Sequence, residues 1–223
     1  MRINHIHIYS PNLTAQLEFY EDVMELPVVH LSETKIKITI GFSELLIEEN
    51  RDATPYHIAF HIPPKQEEKA LSWLKKRVEI QGFKGDEIID FSSWNAKSIY
   101  FYDQDKNILE FIGREDYFQK SELEFSSKSI LGIAEVGLAT NNVAEKHENL
   151  TKDFPLRKYS GNLEEFCPIG DDEGLLIVID VDKKDWFPTN DKAYASPFEI
   201  SFTEEKKQYK FSFSNNKITK LSL

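Results

Sequence analysis

Cysteine is nearly missing from this chain: Cys167 stands alone among 223 residues. No intrachain disulfide is available, and a reducing, cytoplasmic home is the default expectation. Long apolar runs are missing too. The longest, GLLIVI at 174–179, falls far short of the ~20 residues that span a bilayer, so no membrane span is expected. No basic stretch leading into an apolar one opens the chain, so no signal peptide is expected. Positive charge is scarce. The chain has 27 Lys and Arg against 38 Asp and Glu, a net charge of −11. That balance argues against a nucleic-acid-binding surface, because phosphate recognition needs Lys and Arg.

What remains is ordinary for a soluble globular protein: 40% hydrophobic and 29% charged residues. The length suits one large domain or two small ones. Within it a pattern recurs. RINHIHIY at 2–9 alternates as a half-buried strand does. Pro11 and Asn12 then signal a helix start, and Leu13, Leu17, Tyr20 and Met24 recur at helical spacing. Strands follow at 28–31, 35–40 and 44–48. The order restarts with the strand YHIAFHI at 56–62, a helix striped by Ala70, Leu71, Leu74 and Val78, and strands at 97–102 and 108–112. A third copy starts near Ile133, where IAEVGLATNNV parallels INHIHIYSPNL without a gap. Its helix is marked by Val143, Leu150 and Phe154, its strands by 163–169 and 175–181. Residues 198–223 read as a fourth copy without a helix. The fold class is therefore α+β, built of repeated β-α-β-β-β modules in curled mixed sheets. Residues 120–129, KSELEFSSKS, read as a polar linker between two domains, 1–118 and 130–223.

Strand parity groups the chemistry. His5 and His7 share a face, and so do His57 and His61. Glu48 ends one strand, and Glu110 interrupts the otherwise apolar ILEFI. A charged residue inside an apolar strand needs a partner or a solvated cavity. Two histidines and two glutamates are suitable ligands for one divalent ion, with Zn, Ni, Mn and Fe as candidates. The bland alternative is a hydrogen-bonded buried set. His30 and His147 read as structural, and Cys167 as a small strand residue.

Three stretches carry a resemblance. NHIHIYSPNLTAQLEFYEDVMEL, TPYHIAFHI and KSIYFYDQDKNILEFIGRE resemble the strand–helix opening, second histidine strand and closing hairpin of the vicinal oxygen chelate superfamily. That superfamily includes glyoxalase I, the fosfomycin-resistance thiol transferases and the extradiol dioxygenases. The resemblance implies a metal held by His5, His57 and Glu110, with Glu48 where glyoxalase I has a fourth, carboxylate ligand. It implies catalytic roles for Glu48 and Glu110. His7, His61, Ser98, Tyr100 and Tyr102 fall where substrate contacts are expected. The expected activity is a metal-dependent, glyoxalase-like lyase or isomerase acting on a small molecule that chelates through adjacent oxygens. An Fe(II) dioxygenase, a fosfomycin-type thiol transferase and a non-catalytic binding protein are the alternatives. In the second half Glu135 stands at the place of His5, Phe198 roughly at that of His57, and nothing matches Glu110. That half is expected to bind no metal and to serve as scaffold, lid or pocket wall. Modules 1 and 2 are expected to pair, within one chain or across a homodimer.

Overall fold

The computed structural model describes residues 1–117 and 124–223. The first part of the linker read over 120–129, and the domain end at 118, lie outside the described residues. Four modules follow one another. The first holds β1 (Arg2–Ser10), α1 (Leu13–Glu18), β2 (Val28–Ser32), β3 (Lys35–Ile40) and β4 (Ser43–Glu49). The second holds β5 (His57–Ile62), α2 (Glu67–Leu74), the short β6 (Ile80–Gln81) and β7 (Ile89–Phe91), then β8 (Ala96–Tyr102) and β9 (Ile108–Arg114). The third holds β10 (Gly132–Thr140), α3 (Val143–Asp153), β11 (Phe166–Asp171) and β12 (Gly174–Asp180). The fourth is a meander of β13 (Phe198–Glu204), β14 (Lys207–Ser214) and β15 (Lys217–Lys220). No helix among the described residues is long and apolar enough to cross a membrane.

The repeat reaches down to the caps. Asn12 accepts a hydrogen bond from the Ala15 N–H, and Asn142 accepts one from Glu145, so each starts its helix. The hydroxyl two residues earlier, Ser10 or Thr140, accepts from the cap's own N–H. The helix read through Met24 is α-helical only to Glu18 and continues as a π-helical turn over Phe19–Val23, which buries Phe19 and Tyr20. The second helix ends at Leu74. Val78 lies beyond it, still packed on the core.

Module pairing departs from the expected two domains. Among the described residues the strands form two sheets, ordered β15-β14-β13-β1-β4-β3-β2 and β11-β12-β10-β5-β9-β8-β6, with β7 on β8. Module 1 therefore shares a sheet with module 4, and module 2 with module 3. β1 runs antiparallel to β13, and β5 antiparallel to β10. Residues 1–118 and 130–223 each contribute to both sheets. Periodicity identifies a strand and its faces, whereas its neighbour is chosen by long-range packing that periodicity does not encode.

One core joins the sheets. Ile6 and Ile8 of β1, Ile58 and Phe60 of β5, Leu109 and Phe111 of β9, and Val136 and Leu138 of β10 all enter it, along with residues of the three helices. Ser43 fastens the sheets together at this level: its hydroxyl donates to the Ile3 carbonyl and accepts from the Ile133 N–H. The opposite faces differ. In the first sheet that face is polar and half-exposed. In the second it is covered by the segment 181–197, which sets Trp186 and Phe187 over β5, β8 and β10 and forms a smaller apolar cluster.

Candidate metal centre

The second sheet converges three ionisable side chains. His57 opens β5. Two positions on, the small Ala59 lies between Glu110 of β9 and Glu135 of β10, which pair with it from either side. Side chains two apart on a strand share a face, so all three polar groups meet on the covered side. His57 Nε2 lies 3.5 Å from Glu110 Oε2 and 3.9 Å from Glu135 Oε2. All three residues are buried, and one ligand atom from each lies within 4.8 Å of the others.

The surroundings fix each group. His57 Nδ1 is 3.2 Å from the Ile108 carbonyl. A carbonyl only accepts, so Nδ1 carries a proton and Nε2 is the nitrogen that faces the cluster, free to ligate once it is deprotonated. That is the tautomer a metal-bound imidazole uses, held by a backbone acceptor behind it. Arg114 of β9 contacts Glu135 Oε1, leaving Oε2 to face His57. The Arg114 guanidinium is itself buried, beside Trp94 and Tyr159, with its Nη1 3.8 Å from Asp172. Its Nε and Nη1 have no hydrogen-bond partner among the described residues. Ser98 and Tyr100 of β8 neighbour the Glu110 carboxyl.

Proton affinities follow from this packing. Burial, then the charge of Glu135, push Glu110 up to about 7. Burial also disfavours the Glu135 carboxylate, but Arg114 and His57 outweigh it and hold Glu135 below the usual range. Burial opposes the His57 cation, yet Glu135 and Glu110 raise it overall. The donor set fits a divalent ion. It offers one neutral imidazole nitrogen and two carboxylates, and metal–ligand bonds of ~2.0–2.2 Å require only a small closing of the observed spacings.

Above the three lies a cavity of about 260 Å³. Its walls are aromatic, with Phe91, Trp94, Tyr100, Phe166, Trp186 and Phe187, and Lys184 is the cation among its lining residues. Trp186 covers His57 with ring centroids 5.0 Å apart.

Of the expected ligands, His57 and Glu110 are brought together here. His5 and Glu48 are not: both lie in the first sheet, with β1 and β4. There Glu48 sits 3.0 Å from His7 Nε2 and 2.9 Å from Lys35 Nζ. His7 thus faces the Glu48 carboxylate on that sheet, with burial lowering its pKa and favouring the neutral imidazole. The reason is the module pairing. His5 accompanies β13 rather than β5, and β10 brings Glu135 in its stead. Among the expected substrate contacts, Tyr100 lines the cavity and Ser98 is buried beside Glu110. His61 is buried deeper, donating from Nε2 to the Glu173 carbonyl at 3.0 Å. Tyr102 lines a neighbouring cavity of about 320 Å³ and donates to Asp191. Sequence reasoning placed Glu135 at the position of His5 but took it as the loss of a ligand, and it gave Arg114 and Trp186 no role. The signal for the first was present: Glu135 interrupts the apolar IAEVGLA as Glu110 interrupts ILEFI.

The fold and site define an α+β protein of paired β-α-β-β-β modules with a His-Glu-Glu centre. Over 115 residues the chain is 33% identical to the metallothiol transferase FosB of Staphylococcus haemolyticus, covering 48% of this chain and 80% of that protein. It belongs to the vicinal oxygen chelate superfamily. Among solved structures, a provisionally designated dioxygenase from Bacillus subtilis matches with a TM-score of 0.59 at 15% identity, over 80% of this chain. The chain spans 63% of that structure's length. FosX of Listeria monocytogenes, solved with Mn(II) and sulfate, matches half of this chain and 87% of its own at 20% identity and a TM-score of 0.39. No family model matches.

Proposed function

We propose that this chain is a divalent-metal enzyme of the lyase or isomerase type, acting on a small molecule with adjacent oxygens. The observation that carries the reading is the meeting of His57, Glu110 and Glu135 beneath an aromatic-walled cavity. These three residues would hold the ion, which when bound supplies Lewis acidity toward a substrate oxygen. One imidazole with two carboxylates is a harder donor set than the two-histidine, one-carboxylate triad of non-haem iron oxygenases. It favours Mn(II)-type chemistry over dioxygen activation.

The chain's own groups complete the mechanism. Arg114 turns Glu135 so that one oxygen faces the site. The Glu110 carboxyl, beside Ser98 and Tyr100, is the group placed to take a proton from the substrate and return it. The Tyr100 hydroxyl stands beside that carboxyl as a donor. Trp186 and Phe187 exclude water and give the substrate a flat apolar wall. A second reading, transfer of a thiol to an electrophile, is favoured by the likeness to FosB, whose name states a metal and a thiol.

Elemental analysis of protein purified without chelators tests the centre. About one divalent ion per chain is expected, lost in His57→Ala and Glu135→Gln. Absence of an ion from the wild type, or full retention in Glu135→Gln, overturns the reading. Turnover of thiol–aldehyde adducts against thiol addition to epoxides then separates the two chemistries.

A further inference from the structure

Where β1 meets β13 and β10 meets β5, the two sheets share one register. In the second, Glu135 and Val136 of β10 pair with Ala59 and Ile58 of β5. In the first, His5 and Ile6 of β1 pair with Ser201 and Ile200 of β13. Each pairing carries a register shift just before these positions, between Ile133 and Glu135 and between Ile3 and His5. His5 therefore holds the place of Glu135.

The other two places follow. His57 packs against Gly137, one strand-step beyond the Val136–Ile58 pair. At the same step in the first sheet, Glu199 pairs with His7, so Glu199, and not Phe198, holds the place of His57. Glu110 pairs with Ala59 through β9, and Lys210 pairs with Ser201 through β14. By this pairing Lys210 holds the sheet position of Glu110, on a strand that runs antiparallel to β13 where β9 runs parallel to β5. Its Nζ lies 2.8 Å from Glu199 Oε2. The remaining acids of this face are also engaged, Glu44 by Lys37 at 2.7 Å and Glu48 by Lys35 at 2.9 Å.

We propose that His5, Glu199 and Lys210 are a second copy of the metal centre, closed to metal by its own lysine. An ammonium has three donors and no lone pair, so it cannot ligate an ion. It also supplies positive charge at the spot where a divalent cation would sit, and it occupies the carboxylate of Glu199. The chain then carries two related sites and one ion. This inference rests on reading His57, Glu110 and Glu135 as a metal centre.

Mn(II) titration of the wild type by NMR is expected to broaden the His57 resonances and spare those of His5 and His7. Lys210→Glu restores a carboxylate at the third place and frees Glu199, so a second ion per chain is expected by elemental analysis. Adding His5→Ala to that variant is expected to remove it again. Broadening at His5 in the wild type overturns the proposal. So does a Lys210→Glu protein with unchanged circular dichroism and still one ion. Should Lys210→Glu not fold, Lys210→Gln serves: a weak second ion that depends on His5 supports the closure, and none overturns it. A wild type with no ion at all fails the centre itself, and this copy with it.

Discussion

His61 shows how a single buried residue couples this fold to pH. Burial lowers its pKa to about 4 from 6.5, against the hydrogen bond to the Glu173 carbonyl that favours the cation. The folded state therefore holds neutral imidazole where the unfolded chain would be protonated. Stability from this group is fully present above pH 6.5 and is lost as pH falls toward 4, by about 3 kcal/mol. Urea melts of wild type and His61→Phe between pH 7 and 4 isolate the contribution. The variant is expected to be less stable at pH 7, and the gap to narrow by about that amount at pH 4. A constant gap refutes the linkage. Arg114 belongs to the same scale. Removing it strands the buried Glu135 carboxylate, so Arg114→Met is expected to cost about 3–5 kcal/mol in denaturant melts, and a second change, Glu135→Gln, to recover part of that. Neither role was legible in the sequence. His61 read as a substrate contact because parity reports the face a residue is on, not the depth of the cover above it. Glu135 was visible as a charge in an apolar strand, yet it read as a lost histidine rather than a candidate ligand, because its partners lie on two other strands, His57 on β5 and Glu110 on β9.

At the scale of the element, β10 was well placed by its likeness to β1, and the likeness also shows where the two diverge. His7 of β1 corresponds to Gly137 of β10. A Cβ at Gly137 would come within 2.8 Å of the outer edge of the Trp186 indole and 3.1 Å of His57 Cβ. Glycine here is a matter of close approach: it lets the segment 181–197 lay Trp186 flat against the strand and over His57. The first sheet, with an imidazole at this place, keeps an open polar face. Gly137→Ala is expected to lift Trp186, whose far edge is the part that must give. A stability loss near the low end of overpacking, about 1 kcal/mol, is the expected result, with a red-shifted tryptophan emission and lower turnover. Unchanged emission would mean that the indole does not rest on this glycine. The segment itself escaped sequence reading because it has no period. Its order comes from aromatic contacts of Trp186 and Phe187 with His57, Phe83, Phe91 and Tyr100, all supplied by module 2.

For the whole molecule the repeat was legible four times over, but its arithmetic was not. Adjacent copies were expected to pair, and the chain instead pairs its outer two copies and its inner two. This arrangement explains why the candidate site is half contained in one module. His57 and Glu110 sit on adjacent strands of module 2, so any reading of that module finds them. The third candidate ligand comes from whichever strand lies across the open edge of β5, a choice made by long-range packing rather than within module 2. The same logic predicts how the chain divides. Residues 1–117 alone would leave both β1 and β5 with an unpaired central edge, a row of free N–H and C=O groups in the middle of each sheet. The apolar faces of both strands would lose the packing that β10 and β13 supply. Expressed by itself, this half is expected to self-associate through those edges or aggregate, rather than stay a folded monomer. Mixed with residues 124–223 during refolding, it is expected to recover a 1:1 complex with native circular dichroism. Size-exclusion chromatography with light scattering separates these outcomes. A stable monomer of the first half, with cooperative unfolding of its own, would show that modules 1 and 2 can satisfy each other, and would return the chain to two side-by-side domains.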